Sequence, residues 1–282
     1  MTRVRMAAFD LDGTLLEHGA LTRQAIRMLK ILRQQGVLVV IATGRHRGTV
    51  PWRLHDPALA DYLICNCGAV ICRPGGETLW KSTLSAQEVR DLMALGQPFH
   101  CTYAASRDRT TYLSKAEPLR RRKVKDGDRQ KYFWRYYMYL FHSRRIDGSW
   151  ADILQDAHFT TEKLLCVTAR PEDELTFRAL VAADGRFTAT GSEQAAEITA
   201  RGVSKGSALA LLAERLQIPR EAIVAFGNDD NDLSLRDHAG RFVAARDSSP
   251  AALEAADQVA DSIPAAALRL CLDQEAKGAK RP

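Results

Sequence analysis

The sequence of 282 residues lacks the features that mark membrane and secreted proteins. Its longest unbroken apolar run, residues 37–42, is far shorter than the roughly 20 residues that a membrane-spanning helix needs. The first residues hold no long apolar segment followed by a cleavage site, because the short apolar run 6–9 leads directly into acidic residues. No internal repeat stands out. We therefore expect a cytoplasmic protein without a membrane partner.

Cysteine is scarce and lacks the spacing of a structural zinc site. Six cysteines are present, three of them clustered, and none forms a C-x-x-C pair. The cluster comprises Cys65, Cys67 and Cys72, and the others are Cys101, Cys166 and Cys271. Because we expect a reducing compartment, we predict buried free thiols rather than disulfides or a zinc site.

The net charge of +6 is concentrated in one segment. Residues 119–145 carry ten basic and two acidic side chains, a net charge of +8, which leaves the rest of the chain near −2. Aromatic and basic residues interleave in residues 132–139, a pattern that can stack the bases of single-stranded nucleic acid. The same pattern is explained by a strand that packs on a helix and follows a basic loop, which attracts an anionic substrate. We favour this second interpretation. Nucleic acid is therefore not the expected partner.

What the sequence does contain, almost at its start, is an apolar run that ends in two acids. The run 6–9 is followed by Asp-Leu-Asp-Gly-Thr, which places Asp10 and Asp12 two residues apart. Such a strand delivers both carboxylates to the edge of a sheet, where they repel each other unless a cation or an electrophile lies between them. The pattern is typical of phosphate chemistry.

We predict an α/β protein in which one domain is inserted into another. Residues 1–78 and 191–282 alternate short apolar strands with helical patterns, which indicates a parallel sheet with helices on its faces. Residues 79–190 contain several strand-like runs and few helices, typical of a separate small α+β unit. The apolar content of 46% is ample for the cores of both parts.

The main elements follow from periodicity and from capping residues. Core strands are predicted at 4–9, 37–42, 62–65 and 222–226, with helices at 22–35 and 204–216. Strands of the insertion are predicted at 99–104, 110–114, 132–141, 163–168 and 186–190, with helices beginning at 85 and 171.

Polar side chains gather near the ends of the predicted core strands, where ligands bind in an open parallel sheet. Besides the two acids after the first strand, the candidates are Thr43 after the second, Lys205 at a helix start and the polar run 228–232. A carboxylate can attack phosphorus, and a second acid can transfer the proton. A hydroxyl and an ammonium can hold the phosphoryl oxygens, and carboxylates at the same edge can hold Mg²⁺.

Five motifs in this order resemble those of the haloacid dehalogenase (HAD) superfamily. They are Asp10-Leu-Asp12-Gly-Thr14, Thr43-Gly44-Arg45, Asn66-x-Gly68-Ala69, Gly202-Val203-Ser204-Lys205-Gly206 and the run from Gly227 to Asp232. The insertion between Thr43 and Lys205 resembles the Cof-type branch, subfamily IIB, with a type-two α/β cap. The resemblance covers nearly the whole chain and implies a Rossmann-like core with a parallel sheet and an inserted α+β cap domain.

The resemblance also implies roles for individual residues. Asp10 would be the nucleophile and a Mg²⁺ ligand, and Asp12 would be the general acid and base, with its main-chain carbonyl on the metal. Thr43 would bond the phosphoryl group, Lys205 would neutralise charge on it and on Asp10, and the loop 228–232 would complete the metal site. Further substrate-binding candidates from the motifs are Gly44, Arg45, Asn66 and Asn231.

The metal-binding loop departs from the family pattern at one position. The family usually has Gly-Asp where this chain has Gly227 and Asn228. A carboxamide oxygen still binds Mg²⁺, although without charge. Alternatively, the loop shifts by one residue and Asp229 reaches the metal. We favour Asn228 as a direct ligand, with Asp232 as a direct or supporting partner, and we expect weaker metal binding.

The motifs together predict a Mg²⁺-dependent phosphatase that hydrolyses small phosphomonoesters through an aspartyl-phosphate. The resemblance brings sugar phosphates, pyridoxal phosphate and flavin mononucleotide as substrate types, and the sequence does not choose among them. Two alternatives stay open: a phosphomutase of the same fold and a catalytically silent phosphoester-binding protein. The oligomeric state is not readable from the sequence.

Overall fold

The computed structural model describes residues 2–17, 19–120, 143–192 and 195–272. The predicted strand 132–141 and most of the basic segment 119–145 lie outside these residues. Within the described ranges, no helix combines the length and the apolar character that a membrane crossing requires. The six cysteines are free thiols, and all except the half-buried Cys101 are buried.

The strands are short and lie throughout the described chain. In chain order they are β1 (Met6–Phe9), β2 (Leu16–Glu17), β3 (Ala20–Leu21), β4 (Leu38–Ala42), β5 (Tyr62–Cys65), β6 (Val70–Cys72), β7 (Thr78–Lys81), β8 (Leu84–Ser85), β9 (Thr102–Arg107), β10 (Thr110–Ser114), β11 (Ser143–Ile146), β12 (Thr160–Thr161), β13 (Lys163–Val167), β14 (Phe187–Ser192), β15 (Ala195–Ala200), β16 (Ile223–Gly227), β17 (Arg241–Ala245) and β18 (Gln258–Ala260).

Two of the predicted helix starts are capped as expected, whereas the helix predicted to begin at Pro171 begins at Asp173, without a side-chain cap. The helices are Arg23–Gln34, Ala86–Gly96, Trp150–Ile153, Asp173–Asp184, Lys205–Arg215, Leu233–His238, Pro250–Ala255 and Ile263–Leu272. Thr22 caps the first of them by accepting the N–H of Ala25 at 3.0 Å. Ser85 and Glu88 form the predicted capping box of the second.

The larger sheet has the strand order β18-β17-β16-β1-β4-β5-β6-β7. Its pairs from β18 to β5 are parallel, which confirms the predicted α/β class, whereas β6 and β7 extend the edge with antiparallel pairs. Parallel strands need covering on both faces, and two apolar clusters supply it. One cluster includes Ala7 and Phe9 of β1, and the other includes Met6 and Ala8, so alternate side chains of this strand enter opposite cores.

A smaller sheet has the order β11-β10-β9-β13-β15-β14. One of its faces packs on the helices Ala86–Gly96 and Asp173–Asp184 around a third apolar cluster. We call this sheet with its two helices the cap. The predicted domain division at 79–190 remains a prediction, but sheet membership does not coincide with it. Strand β7 pairs in the larger sheet, and β15, which the sequence analysis did not predict, pairs with both β13 and β14.

The topology places the site. Strand β1 lies between β4 and β16, with both of its pairings parallel, so the carboxyl ends of these three strands meet at one edge. The rings of Phe9 and Phe226 stack across β1 and β16 with their centroids 4.6 Å apart, which aligns the two strands just before their polar ends. The segments that follow β1, β4 and β16 are the predicted motifs.

Candidate active site

Asp10 is the first residue beyond β1, and its side chain is buried. Its backbone N–H donates to the carbonyl of Phe226 at 2.9 Å, so the residue is fixed against β16. Only 4% of Asp10 is exposed. A buried carboxylate needs compensating partners, and the most direct one is Lys205.

Lys205 begins the helix Lys205–Arg215, which Ser204 caps. Its ammonium donates to three oxygens: Asp10 Oδ1 at 2.8 Å, Asp232 Oδ1 at 2.7 Å and Asn231 Oδ1 at 2.9 Å. An ammonium has three protons, so these contacts use all of them. The structure thus brings the predicted nucleophile and the predicted charge-neutralising lysine into direct contact.

The two partners share an excess of negative charge. Burial raises the pKa of Asp10 to about 7, Asp232 and Asp12 add to the rise, and Lys205 opposes it. Burial alone would lower the pKa of Lys205, but the charges of Asp10 and Asp232 overcome burial and raise it. Burial is the main cause of the Asp10 shift, and the two aspartates keep the Lys205 ammonium charged.

Asp12 is paired with Arg45. The guanidinium donates to both carboxylate oxygens, with distances of 2.6 Å to Oδ1 and 2.8 Å to Oδ2. Arg45 also donates to the carbonyl of Thr49 at 2.8 Å, so its orientation is fixed on both sides. The hydroxyl of Thr43 accepts the backbone N–H of Arg45 at 3.2 Å, and Thr43 is almost fully buried.

The loop after β16 is organised by Asp232. Its Oδ2 accepts the backbone N–H groups of Asn228 at 2.9 Å and Asp229 at 3.1 Å, while Oδ1 accepts from Lys205. Both oxygens therefore have protein donors, and the residue is fully buried. These contacts indicate that Asp232 supports the shape of the loop. They fit this role better than direct coordination of a metal.

Asn228 is the candidate ligand that meets the other predicted oxygens. One polar atom of its amide lies 2.9 Å from the main-chain oxygen of Asp12, 3.0 Å from the Thr14 hydroxyl and 3.2 Å from Asp10 Oδ2. With the amide nitrogen at this place, its two N–H groups have these three oxygens as acceptors within reach. With the amide oxygen there, it would lie 2.9 Å from the main-chain oxygen of Asp12 and 3.2 Å from Asp10 Oδ2, so these three oxygens could hold one Mg²⁺ ion.

This donor set fits Mg²⁺ in chemistry, because it offers a carboxylate, a main-chain carbonyl and a carboxamide, all oxygen ligands. Among the described residues, His, Cys, Asp and Glu side chains do not gather in groups of three around one metal position. The alternative ligand Asp229 lines a pocket beside this donor set, together with Asp10 and Asp12. Its Oδ1 accepts the N–H of Asp230 at 2.8 Å, and burial raises its pKa.

The remaining predicted residues divide between the pocket and the contact with the cap. Gly44, Arg45 and Asn231 line the pocket together with Asp10, Asp12 and Lys205. Asn66 does not line it. The Asn66 amide donates instead to Glu162 Oε2 of the cap at 2.5 Å. The structure thus places Asn66 where the two sheets meet, and its predicted substrate contact stays a prediction.

The turn that carries Asn66 explains the glycine that follows it. Asn66, Cys67 and Gly68 have successive φ values of 50°, 55° and 103°, all in the left-handed region. A side-chain carbon on Gly68 would lie 2.0 Å from the carbonyl oxygen of Ser204, the cap of the lysine helix. Only glycine allows this approach, so the turn supports the start of the helix that carries Lys205.

Sequence reasoning missed the residues that the cap contributes. Lys163 of β13 and Glu197 of β15 line the pocket, as do Thr49 and Asp229. The pocket leaves a volume of about 60 Å³, room for a few water-sized groups. Lys163 and Glu197 belong to none of the motifs, and their only signal is a charged residue within a strand that is otherwise mostly apolar.

A sequence model of the haloacid dehalogenase-like hydrolases matches residues 7–268. The chain belongs to this family. The predicted resemblance to the Cof-type branch of the HAD superfamily, subfamily IIB, is thereby confirmed, as are the α/β fold class and the enzyme class.

Two curated relatives of this chain are both named HMP-PP phosphatase. This chain is 27% identical over 242 residues to the HMP-PP phosphatase of Yersinia pseudotuberculosis serotype O:1b, and the match covers 84% of this chain and 82% of the relative. It is 26% identical over 243 residues to the HMP-PP phosphatase of Klebsiella pneumoniae, with the same coverage.

Solved structures agree in fold. A haloacid dehalogenase-like hydrolase from B. subtilis has a TM-score of 0.79 at 22% identity, covering 95% of this chain and 99% of its own. A sugar phosphatase of HAD subclass IIB has a TM-score of 0.75 at 20% identity, covering 97% and 99%. At these identities the likeness establishes the fold alone.

Proposed function

We propose that this chain is a Mg²⁺-dependent phosphatase that hydrolyses small phosphomonoesters through an aspartyl-phosphate on Asp10. The observation that carries the proposal is the environment of this one carboxylate. Its Oδ1 accepts from Lys205 at 2.8 Å, and its Oδ2 lies 3.2 Å from the Asn228 amide, beside the pocket. A carboxylate fixed in this way at the end of a central strand is placed to attack, not to pack.

In the first step, an oxygen of Asp10 attacks phosphorus and the ester oxygen leaves. Lys205 supports the attack because its ammonium holds the carboxylate in position and offsets charge that builds up on the phosphoryl oxygens. Asn231 and Asp232 in turn fix the ammonium. The predicted hydroxyl contact of Thr43 would add a further donor to the phosphoryl group.

Asp12 is the residue that moves the proton. It would donate a proton to the leaving alcohol and later accept one from the water that attacks the phosphorylated Asp10. Arg45 donates to both carboxylate oxygens of Asp12 in the observed arrangement. At least one of these hydrogen bonds must break before Asp12 can carry a proton. Arg45 also lines the pocket, and an incoming phosphoryl group supplies the anion that can draw the guanidinium from Asp12.

The residues that would hold Mg²⁺ are Asp10, the main-chain carbonyl of Asp12 and Asn228. When bound, the ion cancels the repulsion between the attacking carboxylate and the anionic phosphate.

The proposed substrate is a small phosphorylated metabolite in the cytoplasm. Relatives are named for HMP-PP and for sugar phosphates, which are small phosphorylated molecules. The pocket volume of about 60 Å³ agrees with a small ligand. We expect the cap to open for entry and exit and to close over the bound substrate. The charge balance of the pocket is mixed, which gives no reason to propose a nucleic-acid substrate.

The test is a phosphate-release screen over many phosphomonoesters with Mg²⁺, comparing the wild type with Asp10→Asn. The matched control is Asp237→Asn, which changes an exposed aspartate that does not line the pocket. We expect phosphate release from the wild type and the control, and at least a 10³-fold loss in Asp10→Asn.

The covalent step and the phosphomutase alternative are tested in the same preparation. After rapid acid quenching, mass spectrometry should find one phosphoryl group on the peptide that contains Asp10. Release of free phosphate without an isomerised product speaks against the mutase. Turnover that persists undiminished in Asp10→Asn would overturn the proposed function.

A further inference from the structure

The cap places two oppositely charged side chains in the wall of the active-site pocket. Lys163 begins β13, and Glu197 lies in the neighbouring β15. The register pairs Leu164 with Ile198, which puts Lys163 and Glu197 diagonally across from each other on the same face of the cap sheet. Both line the pocket that contains Asp10 and Asp12.

The Glu197 carboxylate is held from both sides of the cleft. Its Oε1 accepts from Lys163 Nζ at 2.5 Å, and its Oε2 accepts from the Cys67 thiol at 3.1 Å. Lys163 also donates to the carbonyl of Gly44 at 2.6 Å, which ties the cap to the motif loop after β4. Burial raises the pKa of Cys67 to about 12, so the thiol keeps its proton and acts as a donor.

Glu197 lies directly against the loop that carries the predicted phosphate-binding residues. A side-chain carbon on Gly44 would lie 3.2 Å from Glu197 Oε2 and 3.3 Å from Oε1. Gly44 stands between Thr43 and Arg45, two of the predicted phosphate-binding residues. Glu197 and Asp10 line the same pocket of about 60 Å³, so a leaving alcohol bound there would lie near the Glu197 carboxylate.

The side chains of Lys163 and Glu197 differ in their exposure. The Lys163 side chain is 1% exposed, whereas that of Glu197 is 17% exposed. A carboxylate accepts hydrogen bonds at about four positions, whereas an ammonium only donates. Glu197 is therefore the group that the pocket presents to a ligand, and Lys163 fixes its orientation.

We infer that Glu197 selects the substrate of the proposed phosphatase by accepting a hydrogen bond from a hydroxyl or amino group near the ester oxygen of the leaving alcohol. Lys163 is a positioning residue for this contact. The acids lining the pocket are Asp10, Asp12, Glu197 and Asp229, against the cations Arg45, Lys163 and Lys205. The leaving groups that fit are neutral or cationic alcohols with a hydrogen-bond donor, and those with a second anion beside the ester do not fit. This inference rests on the proposed function.

Three esters with the same number of heavy atoms test the contact. They are 2-aminoethyl phosphate, 2-hydroxyethyl phosphate and propyl phosphate, which differ only in the last atom of the alcohol. The variant is Glu197→Gln, which keeps the size and one acceptor oxygen. The matched control is Glu162→Gln, a buried glutamate of the cap that contacts Asn66 and Lys81 without lining the pocket.

We expect the wild type to prefer the two donor-bearing esters. Glu197→Gln should lower kcat/KM about 10- to 100-fold for 2-aminoethyl phosphate, which can only donate, and less than about threefold for propyl phosphate. The loss for 2-hydroxyethyl phosphate should lie between these values. Glu162→Gln should change kcat/KM for all three esters by one common factor.

An equal loss for all three esters in Glu197→Gln would overturn the inference, because a carboxylate that only closes the cap acts on every substrate alike. The inference would also be overturned if Glu197→Gln had no effect on any of the three esters. If Glu197→Gln does not fold, Glu197→Asp keeps the charge but shortens its reach, and the same change of ratio is expected. Failure of the proposed function is distinguishable, since the wild type would then release phosphate from none of the three esters.

Discussion

The guanidinium of Arg45 donates to both carboxylate oxygens of Asp12, at 2.6 and 2.8 Å. A paired donation of this kind fixes the plane of the carboxylate as well as its position. In the proposed mechanism, an incoming phosphoryl group competes with Asp12 for this arginine. The pair would therefore link binding of an anionic substrate to proton transfer by Asp12.

The role of Asp12 predicts a dependence on the leaving group. Asp12→Asn should lower kcat/KM by about 10²- to 10⁴-fold for an alkyl phosphate, because the alkoxide cannot leave without a proton and kcat/KM does not include the later hydrolysis step that both esters share. For p-nitrophenyl phosphate the loss should be at least tenfold smaller, since nitrophenolate leaves unprotonated. Steady-state kinetics with both esters measures the difference. Asp10→Asn is the comparison, because loss of the nucleophile should affect both esters alike, and equal losses in Asp12→Asn would contradict the assignment.

Removal of the Lys205 ammonium should destabilise the fold. Lys205→Met leaves Asp10 and Asp232 buried side by side without their shared cation, at a cost of about 3–5 kcal/mol at pH 8. Urea denaturation of the metal-free protein measures the loss. Adding Asp232→Asn to the variant should recover part of the stability because it removes one of the two unpaired charges. Equal stability of the single and double variants would speak against the charge argument.

The amide at position 228 should weaken binding of Mg²⁺. Asn228→Asp adds a charged oxygen beside Asp10 Oδ2 and the Asp12 carbonyl, so we expect Mg²⁺ affinity to rise on the order of tenfold in a calorimetric titration. The same change should lower the metal-free melting temperature, because the three hydrogen bonds available to the amide are replaced by repulsion.

The alternative ligand is tested by Asp229→Asn in the same titration. If Asn228 is the ligand, this variant should leave Mg²⁺ affinity within about threefold of the wild type, since Asp229 then contributes charge only from a distance. A much larger loss in Asp229→Asn, with no change in Asn228→Asp, would show that the loop uses Asp229.

Asp10 predicts opposite pH trends for activity and for stability. Burial raises its pKa to about 7 from the ordinary 3.8, and the nucleophile must be ionised. At limiting Mg²⁺, kcat/KM should therefore rise between pH 6 and 8, and saturating Mg²⁺ should move this rise to lower pH. The folded chain binds the proton more tightly than the unfolded chain, so stability from this group is complete below about pH 4 and is lost as pH rises through 7.

The stability trend is measured as the urea midpoint of the metal-free protein from pH 5 to 8. The wild-type midpoint should fall over this range more than that of Asp10→Asn, whose amide does not titrate. Parallel curves for the two proteins would contradict the raised pKa.

Local signals were sufficient for much of the core. The helix predicted at 22–35 is Arg23–Gln34 because Thr22 caps it and the chain turns at Gly36, where φ is positive. The strand at 62–65 is matched by β5, since its residues are apolar on both faces. The order of the motifs also located Asp10, Lys205 and Asn231 together, because the carboxyl ends of parallel strands share one edge.

Other features depend on contacts that no local window contains. The strand predicted from residue 99 begins only at Thr102, because Gln97–Phe99 forms a 3₁₀ turn that ends in the left-handed His100. Strand β15 holds three alanines, a weak strand former, and is stabilised by pairing with β13 and β14. Glu197 meets Gly44 only because two sheets dock, and this relationship leaves no spacing in the sequence.

The position of β1 has a consequence for synthesis on the ribosome. One of its neighbours, β4, is made soon after it, but the other, β16, ends at residue 227. The growing polypeptide therefore carries an apolar strand with one bare edge through most of translation. Such an edge is a template for association between unfinished chains, so crowding of ribosomes on one message is the condition under which this enzyme is most exposed to aggregation.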